Sequence, residues 1–328
     1  MPRYKLTIAY DGTDFVGWQK QEPPERGPES KLPVPDASKV LEGYDSVRPG
    51  RMVLRSVQAV LERAVREAVR EPVLVKGASR TDSGVHAGGF FPDGRRGGQV
   101  AAFTCSDGDG AGIGWPVERG AWRLAQTLNS KLPPDLLVLD AEVVEDGFDP
   151  ISDCTAKGYS YTIFCGKTRP LWRRREAYFY RGSLDVEAMR EAAEAVVGEH
   201  DFASFAAAGH GRRTTVRTVY GCEVSEEPCA RDDGTIVRMK IWGNGFLYNM
   251  VRILGGTLVA AGAGKIAPAD VAGIIEAKDR TKAGATLPPE GLCLEWVEYG
   301  GAQGAGSGAQ GSTGGVGWRG RAGDWASR

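Results

Sequence analysis

Hydrophobic and polar positions alternate from Tyr4 to Tyr10, the period of a half-buried strand. Ser56 then precedes Val57, Val60, Leu61, Ala64, Val65 and Ala68. This apolar stripe at helical spacing, behind a good N-cap, predicts a helix to about Arg70. The short apolar run Pro72-Val73-Leu74-Val75 reads as a buried strand, and Gln99 to Thr104 as another. Glu118 to Leu132 reads as a helix with Trp122, Leu124, Ala125 and Leu128 inward, and Leu136 to Val144 as a strand. The order then recurs. Ala156 to Phe164 alternates as a strand, and Asp185 caps a helix to Val197. Strands follow at Arg217 to Val224 and Thr235 to Trp242. Phe246 to Ala261 is helical with Leu247, Val251, Leu254 and Leu258 on one stripe. Pro268 to Lys278 adds a helix, and Leu292 to Tyr299 is the last strand.

Each half therefore reads strand, helix, strand, strand, helix, strand, the ferredoxin-like order shared with RRM domains. The expected fold is α+β. Two βαββαβ halves join edge to edge into one extended, mainly antiparallel sheet, with helices on one side and a central cleft. The expected division is 1–150 and 151–299. Two stretches interrupt the first half: Glu22 to Leu54, rich in Pro, Gly and charge and expected to be poorly ordered, and the Gly-rich Gly88 to Gly98. From Gly300 the composition collapses to Gly, Ala and Ser, so 300–328 is expected to be a disordered tail.

Chemistry concentrates in three places. Gly77-Ala78-Ser79-Arg80-Thr81-Asp82-Ser83-Gly84-Val85-His86-Ala87 follows the predicted strand as a turn. Asp82 there is either a turn former accepting backbone N–H groups or an oriented carboxylate able to act as a nucleophile. Arg80, two residues away, would help to keep it ionised. Tyr159 and Tyr161 share one strand face, as core packing or as a stacking surface for a base. Gly243-Asn244-Gly245 turns the chain into the next helix, and Arg252 falls about two turns in. It either reaches to solvent or pairs with a buried carboxylate.

Net charge is −1 over 328 residues, so no global field draws the chain toward nucleic acid or membrane. Local charge differs: six basic residues and one acid lie between Lys167 and Arg181, and Arg212, Arg213 and Arg217 form a second cluster. Such stretches suit phosphate contacts, or serve as solvated faces. The six cysteines show no Cys-x-x-Cys spacing and there are three histidines, which argues against a metal site and a disulfide framework. The longest apolar stretch, Val251 to Ala261, is too short to span a bilayer, and Met1-Pro2-Arg3-Tyr4 leaves no room for a targeting peptide. A cytoplasmic location is the expectation.

Taken together these stretches resemble the TruA family of tRNA pseudouridine synthases. The resemblance runs in order from Tyr4 to about Tyr299. It rests on Tyr10-Asp11-Gly12-Thr13 with Gly17-Trp18-Gln19, Ser56-Val57-Gln58, and Arg80 to Ala87. It continues through Tyr159-Ser160-Tyr161, Asp201-Phe202-Ala203-Ser204-Phe205, Gly245 to Arg252, and Ala277-Lys278-Asp279-Arg280. The resemblance implies isomerisation of uridine to pseudouridine in the anticodon stem-loop of tRNA, near positions 38–40, without cofactor or metal. It also implies roles. Asp82 would be the catalytic aspartate, and Tyr159 the tyrosine that stacks on the target uracil and assists proton removal from C5. Arg252 would pair with the aspartate, Arg80 would help to open the RNA, and Leu247 would line the substrate site. The partner would be tRNA, in a possible homodimer. The family usually has Gly before Arg-Thr-Asp, where this chain has Ser79, and Ala where it has Ser83. The rivals are a non-catalytic RNA-binding protein of the same fold and a glycosyl hydrolase, which would need a second acid.

Overall fold

The computed structural model describes residues 1–24, 37–41, 50–108, 112–207 and 213–300. The tail after Gly300, Arg212 and most of the 22–54 stretch lie outside these residues. In chain order the elements are β1 (Arg3–Tyr10), α1 (Val57–Val69), β2 (Lys76–Gly77), β3 (His86–Ala87), β4 (Gly89–Phe90), β5 (Arg96–Gly97), β6 (Gln99–Thr104), α2 (Ala121–Asn129) and β7 (Leu136–Val144). They continue with β8 (Cys154–Gly166), β9 (Tyr178–Arg181), α3 (Val186–Glu194), β10 (Gly198–Asp201), β11 (Val216–Pro228), β12 (Gly234–Gly243), α4 (Met250–Gly262), α5 (Asp270–Ala277) and β13 (Leu292–Tyr299).

The fold is α+β around one eleven-stranded mixed sheet, ordered β10-β11-β12-β8-β13-β3-β1-β6-β2, with β7 beside β1 and β9 beside β8. Two pairings are parallel, β8 with β9 and β13 with β3; the others in this sheet are antiparallel. The β13–β3 pairing joins the N-terminal strands to the C-terminal ones, through Cys293 opposite His86 and Leu294 opposite Ala87. One hydrophobic core runs along the chain, from Tyr4, Leu6 and Ile8 to Leu294 and Val297. A small second cluster, Phe164, Ala177 and Ile236, is separate from it.

Local chemistry explains most boundaries. Ser56 Oγ accepts from the Ala59 N–H at 3.2 Å and starts α1, and Arg70 in a left-handed conformation ends it. Asp185 caps α3 in the same way, accepting from the Ala188 N–H. The Pro72–Val75 stretch is not the buried strand expected: Leu74 is 80 % exposed, and the strand is Lys76–Gly77. Its backbone is satisfied by side chains of α1. Arg66 donates to the Val73 carbonyl, Gln58 donates to the Val75 carbonyl, and the Val75 N–H donates to Glu62. Trp122, expected inward, is 58 % exposed on α2, with the Arg123 guanidinium over its ring. Gly88 to Gly98 is no mere interruption. Strands β4 and β5 form a hairpin there, and Phe91 stacks on Trp296 of β13 with centroids 5.5 Å apart. The described ends of the 22–54 stretch are pinned to each other, Pro24 to Arg51 and Val40 to Leu54.

Candidate active site

The Asp82 turn is held by the elements around it. Ala78 donates its N–H to the Val100 carbonyl, and the buried Gln99 grips Ser79 twice, accepting from its N–H and donating to its carbonyl. Thr81 Oγ1 lies 2.8 Å from the Tyr10 hydroxyl, and its carbonyl accepts from the Trp18 N–H. The first strand's turn presses directly on this loop. Gly17 has φ +101°, and a Cβ there would sit 2.7 Å from the Thr81 oxygen; one on Gly12 would sit 1.9 Å from the Val85 oxygen. Tyr10 to Gln19 and Arg80 to Ala87, separate in the sequence, thus form one packed unit.

The second half faces this turn across a cleft of about 820 Å³. Arg252 is the third residue of α4, which begins at Met250 rather than at Phe246. Asn249 has φ +60°, so the chain reverses tightly just before the helix. That turn places Arg252 in the first helical turn, not two turns in. Its guanidinium donates from Nη1 to Asp82 Oδ2 at 3.1 Å and to Asn249 Oδ1 at 2.9 Å, and from Nε to the Leu287 carbonyl at 2.7 Å. Arg280 donates to the Ala283 and Gly284 carbonyls, while Lys278 pairs with Asp201 at 2.8 Å. The Asp201–Phe205 and Ala277–Arg280 stretches therefore brace the segment that leads to Leu287.

Electrostatics at Asp82 balance two opposed effects. Burial pushes its carboxyl above the ordinary range, and Arg252 pulls it back only in part. The side chain keeps 23 % of its exposure, against 15 % for Arg252. Arg80 does not share in this: it is exposed, and among the described residues it makes no ion pair. The expected help from Arg80 in keeping Asp82 ionised is thus supplied by Arg252.

Tyr159 lies near the middle of β8 and lines the same cleft, 8 % exposed. Its ring meets Phe246 edge-on at 5.2 Å, and its hydroxyl is 2.8 Å from Ser79 Oγ. Burial holds its phenol protonated. Tyr161, two residues on, is fully buried and donates to the Pro288 carbonyl. Leu247 also lines the cleft, almost buried, beside the exposed Tyr248. Asp82 is the one carboxylate among the described residues lining the cleft. Sequence reasoning gave no role to Gln99, Asn249, Phe246 or Lys157, whose Nζ donates to the Ala78 carbonyl. Phe246 and Asn249 lie within the Gly245–Arg252 stretch it singled out, and Gln99 left a signal as a polar residue opening an apolar strand.

Comparison with known proteins gives the chain a family. The family described as tRNA pseudouridine synthase matches residues 192–300. The tRNA pseudouridine synthase A of Geobacter sulfurreducens is 37% identical over 299 residues, spanning 91% of this chain and 100% of the relative. The chain belongs to the tRNA pseudouridine synthase A family. Its namesake in Bacillus subtilis is 38% identical over 299 residues, covering 90% of this chain and 99% of that protein. Caldicellulosiruptor bescii has another, 38% identical over 295 residues, with 90% and 98% covered. Both walls of the cleft lie within these matches to family members. Among the described residues no helix is long and apolar enough to cross a membrane.

Proposed function

We propose that this chain, as a tRNA pseudouridine synthase, isomerises uridine to pseudouridine in the anticodon stem-loop of tRNA, near positions 38–40. The reaction cuts the N-glycosidic bond, turns the uracil and rejoins it through C5, so it needs no net redox change. Asp82 is the group that acts on the sugar. Arg252 favours the ionised form of that carboxylate against the burial that raises its pKa. Tyr159 stacks on the target base, which must leave its own stack at a cost of a few kcal/mol; one stacking contact returns ~1–3 kcal/mol. Leu247 packs against the base, and the exposed Arg80 enters the space that the base vacates. The Arg173–Arg175 stretch and Arg213 contact phosphates.

The observation that carries this reading is the Asp82–Arg252 pair, brought together from opposite halves at 3.1 Å beside Tyr159. That Asp82 is the one cleft carboxylate among the described residues speaks against a glycosyl hydrolase, which would place two carboxyl groups about 5–9.5 Å apart. In the architecture we read two ferredoxin-like halves, 1–150 and 151–299, supported by the strand orders β7-β1-β6-β2 and β13-β8-β12-β11. Both run fourth, first, third, second, counting the main strands of each half. A homodimer binding one tRNA across both subunits completes the reading, and a monomer mass in solution at micromolar concentration would remove that part.

The test is a nucleotide-resolved pseudouridine assay on unmodified tRNA transcripts, with wild type and Asp82→Asn side by side. Product in the anticodon arm from wild type alone supports the whole reading. Product from both proteins removes Asp82 from its role. Tight tRNA binding without product from wild type would favour the non-catalytic RNA-binding alternative.

A further inference from the structure

Ser79 stands where the resemblance to the family leads one to expect glycine, and its hydroxyl has a specific partner. Ser79 Oγ lies 2.8 Å from the Tyr159 hydroxyl, and either can donate to the other. The contact is not a chance meeting of mobile side chains. Gln99, itself fully buried, fixes the Ser79 backbone through bonds of 3.1 and 2.6 Å. Phe246 fixes the Tyr159 ring from the side, and the β8 ladder fixes its backbone. Tyr159 is almost wholly buried, whereas Ser79 is half-buried on the cleft wall, so the pair runs from the cleft floor toward solvent.

Such a pair answers a problem that the chemistry poses. Once C5 is joined to the sugar, its original hydrogen must leave. A buried phenol held in its protonated form is a poor base unless its own proton can move on as it takes another. We propose that Ser79 is a positioning residue that passes the proton arriving at Tyr159 on to water. The C5–H bond breaks and its electron pair restores the C5=C6 double bond. The proton goes to the Tyr159 oxygen, the phenolic proton passes to Ser79 Oγ, and the serine proton passes to a water in the cleft. N1 takes up a solvent proton in exchange, so nothing is oxidised or reduced. This rests on the synthase reading above, with Tyr159 beside the target base.

The test uses full-length protein and tRNA transcripts made with uridine or 5-deuterouridine, comparing wild type with Ser79→Ala, Ser79→Gly and Ser79→Thr. With Ser79→Ala and Ser79→Gly, kcat falls about ten- to a hundredfold, with KM for tRNA little changed. The deuterium isotope effect on kcat rises above the wild-type value as C5–H cleavage becomes slower. Ser79→Thr, which keeps a hydroxyl, restores both. A drop in kcat with the isotope effect unchanged would overturn the relay, since it would mean only that the turn has shifted. Unchanged kcat in Ser79→Ala would overturn it too. Failure of the underlying reading looks different: wild type itself would make no pseudouridine.

Discussion

Asp82 stands on a turn between strands of two residues each, Lys76–Gly77 and His86–Ala87. Tyr159 stands near the middle of a 13-residue strand, and Arg252 in the first turn of a 13-residue helix. The first wall of the cleft has few ladder bonds, and side chains and close glycine contacts from β1 and its turn hold it. The second wall is continuous secondary structure, whose backbone is held by a regular run of hydrogen bonds. A sheet fixes direction well, but a reacting carboxylate must project beyond it, so an irregular turn carries it and specific neighbours replace the missing ladder. Such a wall should be sensitive to single changes that the other wall absorbs.

The largest effect is expected from Asp82→Asn, which removes the reacting oxygen while keeping its shape. Turnover should fall by about 10⁴-fold or more, with tRNA binding retained. Single-turnover assays beside a binding measurement check this.

Arg252→Gln breaks the bond across the two walls. Turnover should fall by about 10²–10³-fold, the range for losing one charge-stabilising donor. On the role proposed for it, Asp82 must be ionised, so activity should be lost as pH falls through that group's raised pKa, above the ordinary ~4. Without the guanidinium the acid limb of the pH–rate profile should move higher still. Stability has the opposite sign. A carboxyl with a raised pKa in the fold costs stability as pH rises through it, so Arg252→Gln should be more destabilised at pH 7 than in acid. The loss at pH 7 should be about 1–3 kcal/mol, because both side chains keep some solvent contact. Denaturant melts at two pH values decide it.

Gly17→Ala tests the turn directly. It places a Cβ against the Thr81 oxygen at a backbone angle that alanine disfavours, and should cost about 1–3 kcal/mol with a matching loss of activity. In the second half, Gly273→Ala lies in the open on α5, with nothing within 4 Å of the added carbon. It should stabilise by about 0.5–1 kcal/mol and leave turnover alone. If both changes proved equally harmless, the contrast between the walls would not hold.

The smallest effect concerns the basic stretch. Arg175 is already engaged by Asp11 and Asp14, whereas among the described residues Arg174 bonds only to the Leu171 carbonyl within its own stretch. Arg174→Ala should lower the salt slope of tRNA binding by about one, and Arg175→Ala by less. Binding titrations across salt concentrations separate the two.

The second wall was the easier to read. The alternation of β8, β12 and β13 and the Asp185 cap are local signals, and the structure places these elements within a few residues of expectation. Leu292 to Tyr299 matches at both ends. The first wall was legible only as chemistry. Turn residues marked the site around Asp82, but nothing local reveals that side chains of α1 satisfy the backbone of Val73 and Val75 and keep it out of the sheet. The Gly88–Gly98 hairpin was hidden for a related reason, since its support is Trp296, some 200 residues later. Pairing of Arg252 with Asp82 came from resemblance, not from pattern: spacing on a helix says which face a residue takes, not what waits across a cleft.

The seam between the halves sets an order in time. His86 and Ala87 wait for Cys293 and Leu294, partners made more than 200 residues later on a chain that grows from its N-terminus. Contacts so distant in sequence are the slow ones to close. A newly made first half can therefore carry Asp82 on its turn before the arginine that pairs with it exists. On the roles proposed for these residues, catalytic competence waits for the end of the chain, and a chain broken off during synthesis is left with a carboxyl group and no partner for it.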